Sequence, residues 1–159
     1  MRRLGIRKLV REAADSGFAA LLVPGADAEL HGSVCAACGE HSLDTVAFIP
    51  AEITKLDTGL LCSTDALLYL QTVSGPTGST FTGDEALQDR VRQAQEIGRG
   101  YVPVALGFGI KNRQDIERAF GCGADVLMIG TAMVQAYRHG AEALGDYVRQ
   151  IAGGAGYAG

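Results

Sequence analysis

Five short apolar runs, separated by segments of helical periodicity, restrict the folds open to this chain more than any other feature. The runs cover residues 18–24, 45–50, 66–72, 103–109 and 124–130. Each is apolar at successive positions and does not alternate with polar residues, which is typical of strands buried on both faces. Such strands occur in parallel sheets covered by helices. The pattern therefore predicts an α/β protein with a five-stranded parallel sheet.

The segments around these runs are predicted to be helices, so that one helix is followed by five βα units. Helical patterns cover residues 7–16, 27–41, 52–61, 84–98, 111–120, 131–137 and 142–151. This alternation predicts right-handed crossovers between parallel strands. With 47% hydrophobic and 20% charged residues, the composition fits one globular domain, which we place at residues 1–152. The glycine-rich residues 153–159 are predicted to form a flexible tail.

The charge balance excludes several classes of partner. The chain has 14 Lys and Arg residues against 18 Asp and Glu residues, a formal net charge of −4. Such a chain has no general attraction to nucleic acid or to an anionic membrane. No apolar run approaches the roughly 20 residues of a membrane helix, and the first residues lack the apolar stretch of a secretory signal. We therefore expect a cytoplasmic protein without nucleic-acid or membrane partners.

One helical segment carries a pattern that resembles the spacing of zinc ligands. It reads His31-x-x-x-Cys35-x-x-Cys38-x-x-His41, and residues 31, 35 and 38 share one face of a helix. The favoured interpretation is core packing, in which the helix turns inward a stripe formed by Leu30, Val34, Cys38 and His41. In a cytoplasmic protein the four cysteines are expected to be buried thiols without disulfides. We predict no metal site and no cofactor.

The carboxyl ends of the last three predicted strands are the candidate ligand site, because parallel α/β folds bind ligands there. These strands end in loops rich in glycine and small residues, at 73–80, 106–111 and 129–132. Such loops expose backbone N–H groups, which bind phosphate where several converge near a helix N-terminus. The Thr131 hydroxyl is also expected to cap the last short helix. The predicted phosphate-binding residues are Gly78, Gly109, Gly130 and Thr131; the alternative is that the glycines only form tight turns.

Taken together, several segments resemble the alpha subunit of tryptophan synthase. The matching segments are VSGPTG at 73–78, GFGI at 107–110 and the stretch 123–134, with further similarity at 21–24 and 36–41. That family forms a (β/α)8 barrel that cleaves indole-3-glycerol phosphate to indole and glyceraldehyde 3-phosphate. It passes the indole to a beta subunit that uses pyridoxal phosphate. The resemblance implies a partial, TIM-barrel-like (β/α)5 structure for this chain.

The resemblance also implies roles for single residues. The four glycine-loop residues match phosphate-binding positions of the family, with Thr131 standing where the family usually has serine. Phe108 matches an aromatic residue that packs on the indole ring, and Tyr69 matches a tyrosine that faces the substrate. Thr77 matches the threonine of a mobile loop that closes over the site. The alternative is that both aromatic residues belong to the barrel core and that Thr77 only forms a turn.

The chain departs from the family on the amino-terminal side of the barrel. A complete barrel has eight strands and about 250 residues, whereas the 159 residues here match a helix and then strands four to eight. A catalytic glutamate and a catalytic aspartate of the family belong to the part with the first three strands, and this chain has no match for them. Neither Asp27, predicted to be a helix cap, nor Asp65, predicted to be a turn residue, replaces them. Gly25 stands where the family has an acidic residue, and residues 57–59 interrupt the predicted helix 52–61.

These departures leave two main functions open. The first is binding of indole-3-glycerol phosphate or a related phosphate ester, with cleavage only when a partner completes the site. Each positioned acid or base contributes about 10²–10⁴-fold to a rate, so a phosphate pocket alone would achieve little. The second is a non-catalytic accessory or sensor half-barrel that keeps the phosphate site. A structural or metal-binding remnant is the third.

Five strands cannot close a barrel of this kind, and open sheet edges promote association. We therefore expect a homo-oligomer, or a partner chain that completes the barrel. A tryptophan synthase beta subunit is a further candidate partner. The alternative is that the strands rearrange into an open, flavodoxin-like sheet with helices on both faces.

Overall fold

The computed structural model describes residues 5–52, 65–72, 81 and 83–153. Its helices are α1 (Ile6–Asp15), α2 (Ala28–Gly39), α3 (Glu85–Ile97), α4 (Arg113–Gly121), α5 (Thr131–Tyr137) and α6 (Ala141–Ala152). Its strands are β1 (Ala20–Leu22), β2 (Asp44–Ile49), β3 (Asp65–Gln71), β4 (Val104–Gly107) and β5 (Val126–Met128). Every predicted strand is confirmed, as is every predicted helix that falls on these residues. Most of the helix predicted at 52–61 lies outside them, and the domain boundary at residue 152 stays a prediction.

The five strands form one sheet in the order β1-β2-β3-β4-β5, so neighbours in sequence are neighbours in space. Each neighbouring pair is parallel. In a flavodoxin-like sheet the first strand would lie between later ones, so that alternative is wrong. Consecutive parallel strands follow one another around a (β/α)8 barrel. The sheet is therefore a five-stranded, TIM-barrel-like arrangement.

The two faces of the sheet carry different residues. On one face, apolar strand residues pack against α3 and α4 in the main core; they include Ala47, Ile49, Leu68, Leu70, Val104 and Leu106. Successive residues of a strand point to opposite faces. Phe48 and Tyr69 therefore point away from these helices, to the face that lines the interior of a barrel. A second, smaller core joins α1 and α2 through residues that include Val10, Val34 and Cys38.

The outer strands of the sheet are less buried than the apolar runs predict. In β1 and in β5, one residue is exposed and the other two are partly buried, whereas all of β4 is buried. The reason is that β1 and β5 each pair with one neighbour only in the described sheet. Among the helices of the described ranges, none has the length and apolar character to span a membrane.

Side-chain caps define the start of three helices. Asp27 accepts a hydrogen bond from the backbone N–H of Leu30, and Asp84 and Asn112 cap α3 and α4 in the same way. The cap predicted at Asp27 is therefore confirmed. The cap predicted at Thr131 is wrong, because Gly130 occupies the N-cap position of α5 and no side chain caps that helix.

Candidate functional site

A cleft of about 500 Å³ opens at the carboxyl ends of the last three strands. Its walls come from β3 and β5 and from the loops that follow β4 and β5. The residues that line it include Tyr69, Phe108, Gly109, Lys111, Met128, Gly130, Thr131 and Gln135. The volume lies within the range of about 300–1,000 Å³ that is usual for small-molecule sites. Parallel strands end on the same side of the sheet, which explains why residues distant in sequence meet here.

Three aromatic rings, which we call the aromatic wall, form one side of this region. The ring of Tyr69 stacks on that of Phe108 with centroids 6.0 Å apart and an interplanar angle of 29°. Phe48 meets Tyr69 edge-on at 5.5 Å and lies 6.3 Å from Phe108. Offset and edge-on arrangements of this kind are favourable because of the ring quadrupoles. The wall presents a largely apolar surface suited to a flat ring.

The turn after β4 holds Phe108 in an unusual backbone conformation. Phe108 has a φ of 76° and Gly109 a φ of 79°, and positive φ is uncommon for a residue with a side chain. The Thr72 hydroxyl lies 2.9 Å from the carbonyl oxygen of Gly107 and 2.6 Å from that of Phe108, and can donate to either. Thr72 therefore ties the end of β3 to this turn and supports the position of the Phe108 ring.

The same cleft is lined by a rim of backbone formed by Gly109, Gly130 and Thr131, which we call the glycine rim. A Cβ atom added at Gly130 would meet no other atom within 4 Å, so the backbone there faces open space. Lys111 is the cationic residue among the described residues that line the cleft. Bare backbone with one nearby cation is an arrangement that suits a small anion.

Both backbone polar groups of Lys111, its N–H and its carbonyl, form hydrogen bonds with side chains. Its N–H donates to the Asp115 carboxylate at 3.0 Å, and its carbonyl accepts from the Tyr147 hydroxyl at 3.0 Å. Asp115 in turn donates its N–H to the Asn112 side chain at 3.0 Å. This network fixes the loop between β4 and α4 at the edge of the cleft.

Titration of Tyr69 is affected by its position in the wall. Burial raises the pKa of the Tyr69 hydroxyl above its ordinary value of 10.0, because the phenolate would be poorly solvated there. The hydroxyl is thus protonated at neutral pH and offers a hydrogen-bond donor to the cleft. None of the described residues that line the cleft is an Asp or a Glu.

Five of the seven residues predicted from the sequence meet in this cleft, namely Tyr69, Phe108, Gly109, Gly130 and Thr131. The other two, Thr77 and Gly78, lie outside the described residues. Sequence reasoning missed Phe48 and Lys111. Their signals were present, since Phe48 lies near the carboxyl end of a predicted strand and Lys111 directly follows the glycine loop after β4.

Asp65 is not the turn residue that the sequence predicts. It is the first residue of β3, it is 7% exposed, and it pairs in register with Thr45 of β2. Its carboxylate contacts His31 of α2 at 3.0 Å and accepts a hydrogen bond from Thr45 at 2.6 Å. One partner of this buried carboxylate comes from the neighbouring strand β2, and the other is brought close by the packing of α2.

The fold and the cleft together define a TIM-barrel-like α/β protein with a cleft at the carboxyl ends of its strands. The sequence model of the family described as "Tryptophan synthase alpha chain" matches residues 1–153. The chain belongs to the tryptophan synthase alpha chain family.

Curated relatives and solved structures agree with this assignment. The tryptophan synthase alpha chain of Haloferax volcanii is 34% identical over 142 residues, which are 87% of this chain and 49% of that protein. That of Campylobacter jejuni is 27% identical over 137 residues, 86% of this chain and 54% of that protein. The chain thus spans about half the length of these curated relatives.

Among solved structures, a chain from a study of the tryptophan synthase α2β2 complex of Pyrococcus furiosus superposes with a TM-score of 0.74 at 26% identity. The match covers 96% of this chain and 62% of that one. The alpha subunit of C. jejuni has the same fold, with a TM-score of 0.74 over 92% of this chain and 59% of its own length.

Proposed function

We propose that this chain is the substrate-binding half of a tryptophan synthase alpha protein and binds indole-3-glycerol phosphate or a related phosphate ester. The observation that carries the proposal is that one cleft joins the aromatic wall to the glycine rim. An aromatic phosphate ester has the same two parts, a flat apolar ring and a dianionic head. A plain barrel core would explain the aromatic residues but not the bare backbone beside them.

In this proposal the indole ring packs against Phe108 and Tyr69, while the phosphate accepts hydrogen bonds from the N–H groups of the glycine rim. Lys111 adds a positive charge near the anion. The protonated Tyr69 hydroxyl offers a donor to the glycerol part of the ligand. Because the rim is backbone, its donors need little reorganisation when the phosphate binds.

Cleavage of the carbon–carbon bond needs groups that the described cleft does not supply. The ring carbon must gain a proton, the indole nitrogen must lose one, and a hydroxyl proton must be removed. We propose that a segment or partner chain that adds the first barrel strands also adds the acid and base. By analogy with the α2β2 complex of P. furiosus, a beta subunit is the further partner proposed, in the cytoplasm.

A non-catalytic accessory or sensor protein is the second candidate function. The observation that favours it is that the described lining of the cleft carries no carboxylate. Both functions require phosphate binding and differ only in turnover.

Binding is tested with the variant Gly130→Asp and its matched control Gly130→Asn. Both side chains would enter the open space at Gly130, where the φ of −111° is ordinary for any residue. Only aspartate adds a negative charge, which should weaken binding of glycerol 3-phosphate by about tenfold or more through charge repulsion. Calorimetric titration measures the affinities. Equal affinities for the two variants would contradict a phosphate site at the glycine rim.

Turnover is then measured as indole release from indole-3-glycerol phosphate. We expect none from the chain alone, and release after addition of a fragment that carries the first three βα units of a relative. Phosphate binding without indole release under either condition would favour the accessory or sensor function.

A further inference from the structure

A second group of chemically active side chains lies on the helix-covered side of the sheet, where α2 packs near the beginnings of β2 and β3. It consists of His31 and Cys35 from α2 and Asp65 from β3, and we call it the His31 cluster. We propose that the His31 cluster binds a zinc ion. The site is separate from the cleft and independent of the function proposed for it.

The distances within the cluster suit a common metal ligand sphere. His31 Nε2 lies 3.5 Å from Cys35 Sγ and 3.0 Å from Asp65 Oδ2. All three ligand atoms lie within 4.8 Å of one another. Around a tetrahedral zinc ion, ligand bonds of about 2.0–2.3 Å place a sulfur and a nitrogen about 3.6 Å apart. The three atoms therefore need only small side-chain movements to surround one ion.

The direction of these contacts distinguishes a metal site from a catalytic triad. In a triad the nucleophile and the carboxylate contact different nitrogen atoms of the histidine ring. Here both Cys35 and Asp65 approach the same atom, Nε2 of His31. One nitrogen cannot relay a proton between two partners in that way, whereas convergence of three donors on one point is what coordination requires.

Thr45 prepares the carboxylate for this role. Its hydroxyl donates to Asp65 Oδ1 at 2.6 Å, while Oδ2 is the oxygen that faces His31. Hydrogen bonds of this kind orient ligating carboxylates in metal sites. The same hydroxyl lies 3.5 Å from Cys35 Sγ, so a single side chain contacts two of the three ligands.

Burial and ligand chemistry favour zinc. Cys35 is 5% exposed, the Asp65 side chain is fully buried, and the His31 side chain is 15% exposed. Because His31 is the partly exposed ligand, we expect a water molecule to supply the fourth ligand from its side. A thiolate, an imidazole and a carboxylate are all common zinc ligands. On binding, the Cys35 thiol releases its proton to solvent and coordinates as thiolate.

The proposed ligand set differs from the motif in the sequence. Cys38 is fully buried in the smaller core with Val10 and Val34, as the core-packing interpretation predicts for it. His41 is exposed, so the inner stripe predicted for α2 does not extend to it. His31 and Cys35 share a face of the helix with Cys38, but the third partner of the cluster is Asp65, which comes from a strand distant in sequence.

The test uses the full chain, stripped of metal with a chelator and dialysed against zinc. We expect about one zinc ion per chain, and a higher midpoint of thermal unfolding with zinc than without it. Cobalt in place of zinc should give the charge-transfer absorption of a thiolate ligand. Cys35→Ser should lose zinc binding and that absorption, whereas Cys122→Ser, which removes another buried thiol, should keep both.

Two further variants keep the proposal open to refutation if Cys35→Ser fails to fold. Asp65→Asn keeps an acceptor for Thr45 and should lose zinc, and Thr45→Val should weaken binding by about 10–100-fold. Absence of saturable zinc binding in the unaltered chain would overturn the proposal. So would full zinc affinity in folded Cys35→Ser or Asp65→Asn, or equal loss in Cys122→Ser.

Discussion

At the scale of single residues, Gly107 determines where the Tyr69 ring can lie. Gly107 is the last residue of β4 and pairs with Gln71 of β3. A Cβ atom at this position would overlap the Tyr69 hydroxyl and would lie only 2.6 Å from its Cε2 atom. The missing side chain thus makes room for the ring that stacks on Phe108. Glycine is required here for steric reasons and not for its backbone conformation, because the φ of Gly107 is not positive.

The variant Gly107→Ala is therefore expected to displace Tyr69 and to destabilise the protein. Overpacking of a closed site costs about 1–3 kcal/mol in the free energy of unfolding, which urea denaturation measures. In the control Gly121→Ala the new methyl group meets nothing within 4 Å, so stability should be unchanged or slightly higher. Equal stability of the two variants would show that the Tyr69 ring can move aside without a loss in the free energy of unfolding.

At the scale of secondary-structure elements, the hydrogen bonds that cap α4 also hold a residue of the cleft in place. The Asn112 side chain caps the helix through the N–H of Asp115, while the Asp115 carboxylate accepts from the N–H of Lys111. The first bond satisfies a donor that a helix start would otherwise leave unpaired, and the second ties the residue before the cap to the first turn of the helix. Because Lys111 lines the cleft, the cap also orders part of the candidate site.

We predict that Asn112→Ala lowers the free energy of unfolding by about 1 kcal/mol and also weakens binding of glycerol 3-phosphate. Asp27→Ala is the matched control, since it removes the equivalent cap of α2 through the N–H of Leu30 away from the cleft. Both variants should lose similar stability in thermal unfolding, but only Asn112→Ala should change the affinity measured by calorimetry. A matching change in Asp27→Ala would mean that the effect on binding is global.

At the scale of the whole molecule, the outer strands are the notable feature. In the described sheet β1 and β5 have a neighbour on one side only, and Val126 of β5 is 37% exposed. A (β/α)8 barrel of this family closes the same kind of sheet with further strands. Unpaired strands are templates for another chain, which is the physical basis for the expected oligomer or completing partner.

We therefore predict that the chain alone self-associates and that Val126→Lys reduces this association, because an edge lysine opposes strand pairing. Sedimentation velocity over a range of concentrations measures the effect. Val148→Lys, at a residue of α6 that is also 37% exposed, should leave association unchanged. If both variants behave like the unaltered chain, the β5 edge is not the contact.

Much of the fold could be predicted because its signals are local. Continuous apolar runs located all five strands, and side chains such as Asp27 marked helix starts. The ends of the strands also predicted that Gly109, Gly130 and Thr131 share one site, since parallel strands bring such ends together. Tyr69 and Phe108 were assigned to that site by the family resemblance. Two kinds of prediction were wrong. The helix cap assigned to Thr131 is off by one residue, since the N-cap is Gly130, and the outer strands are less buried than their apolar runs predict.

The sequence by itself determined the element order, the parallel sheet and the glycine-rich strand ends, because periodicity and turn chemistry act between residues close in the chain. Only the tertiary structure decided the consecutive strand order, the place of Phe48 in the aromatic wall and the meeting of His31 with Asp65. Those two residues are 34 positions apart. Their contact depends on how α2 packs against the sheet, and no local pattern encodes that geometry.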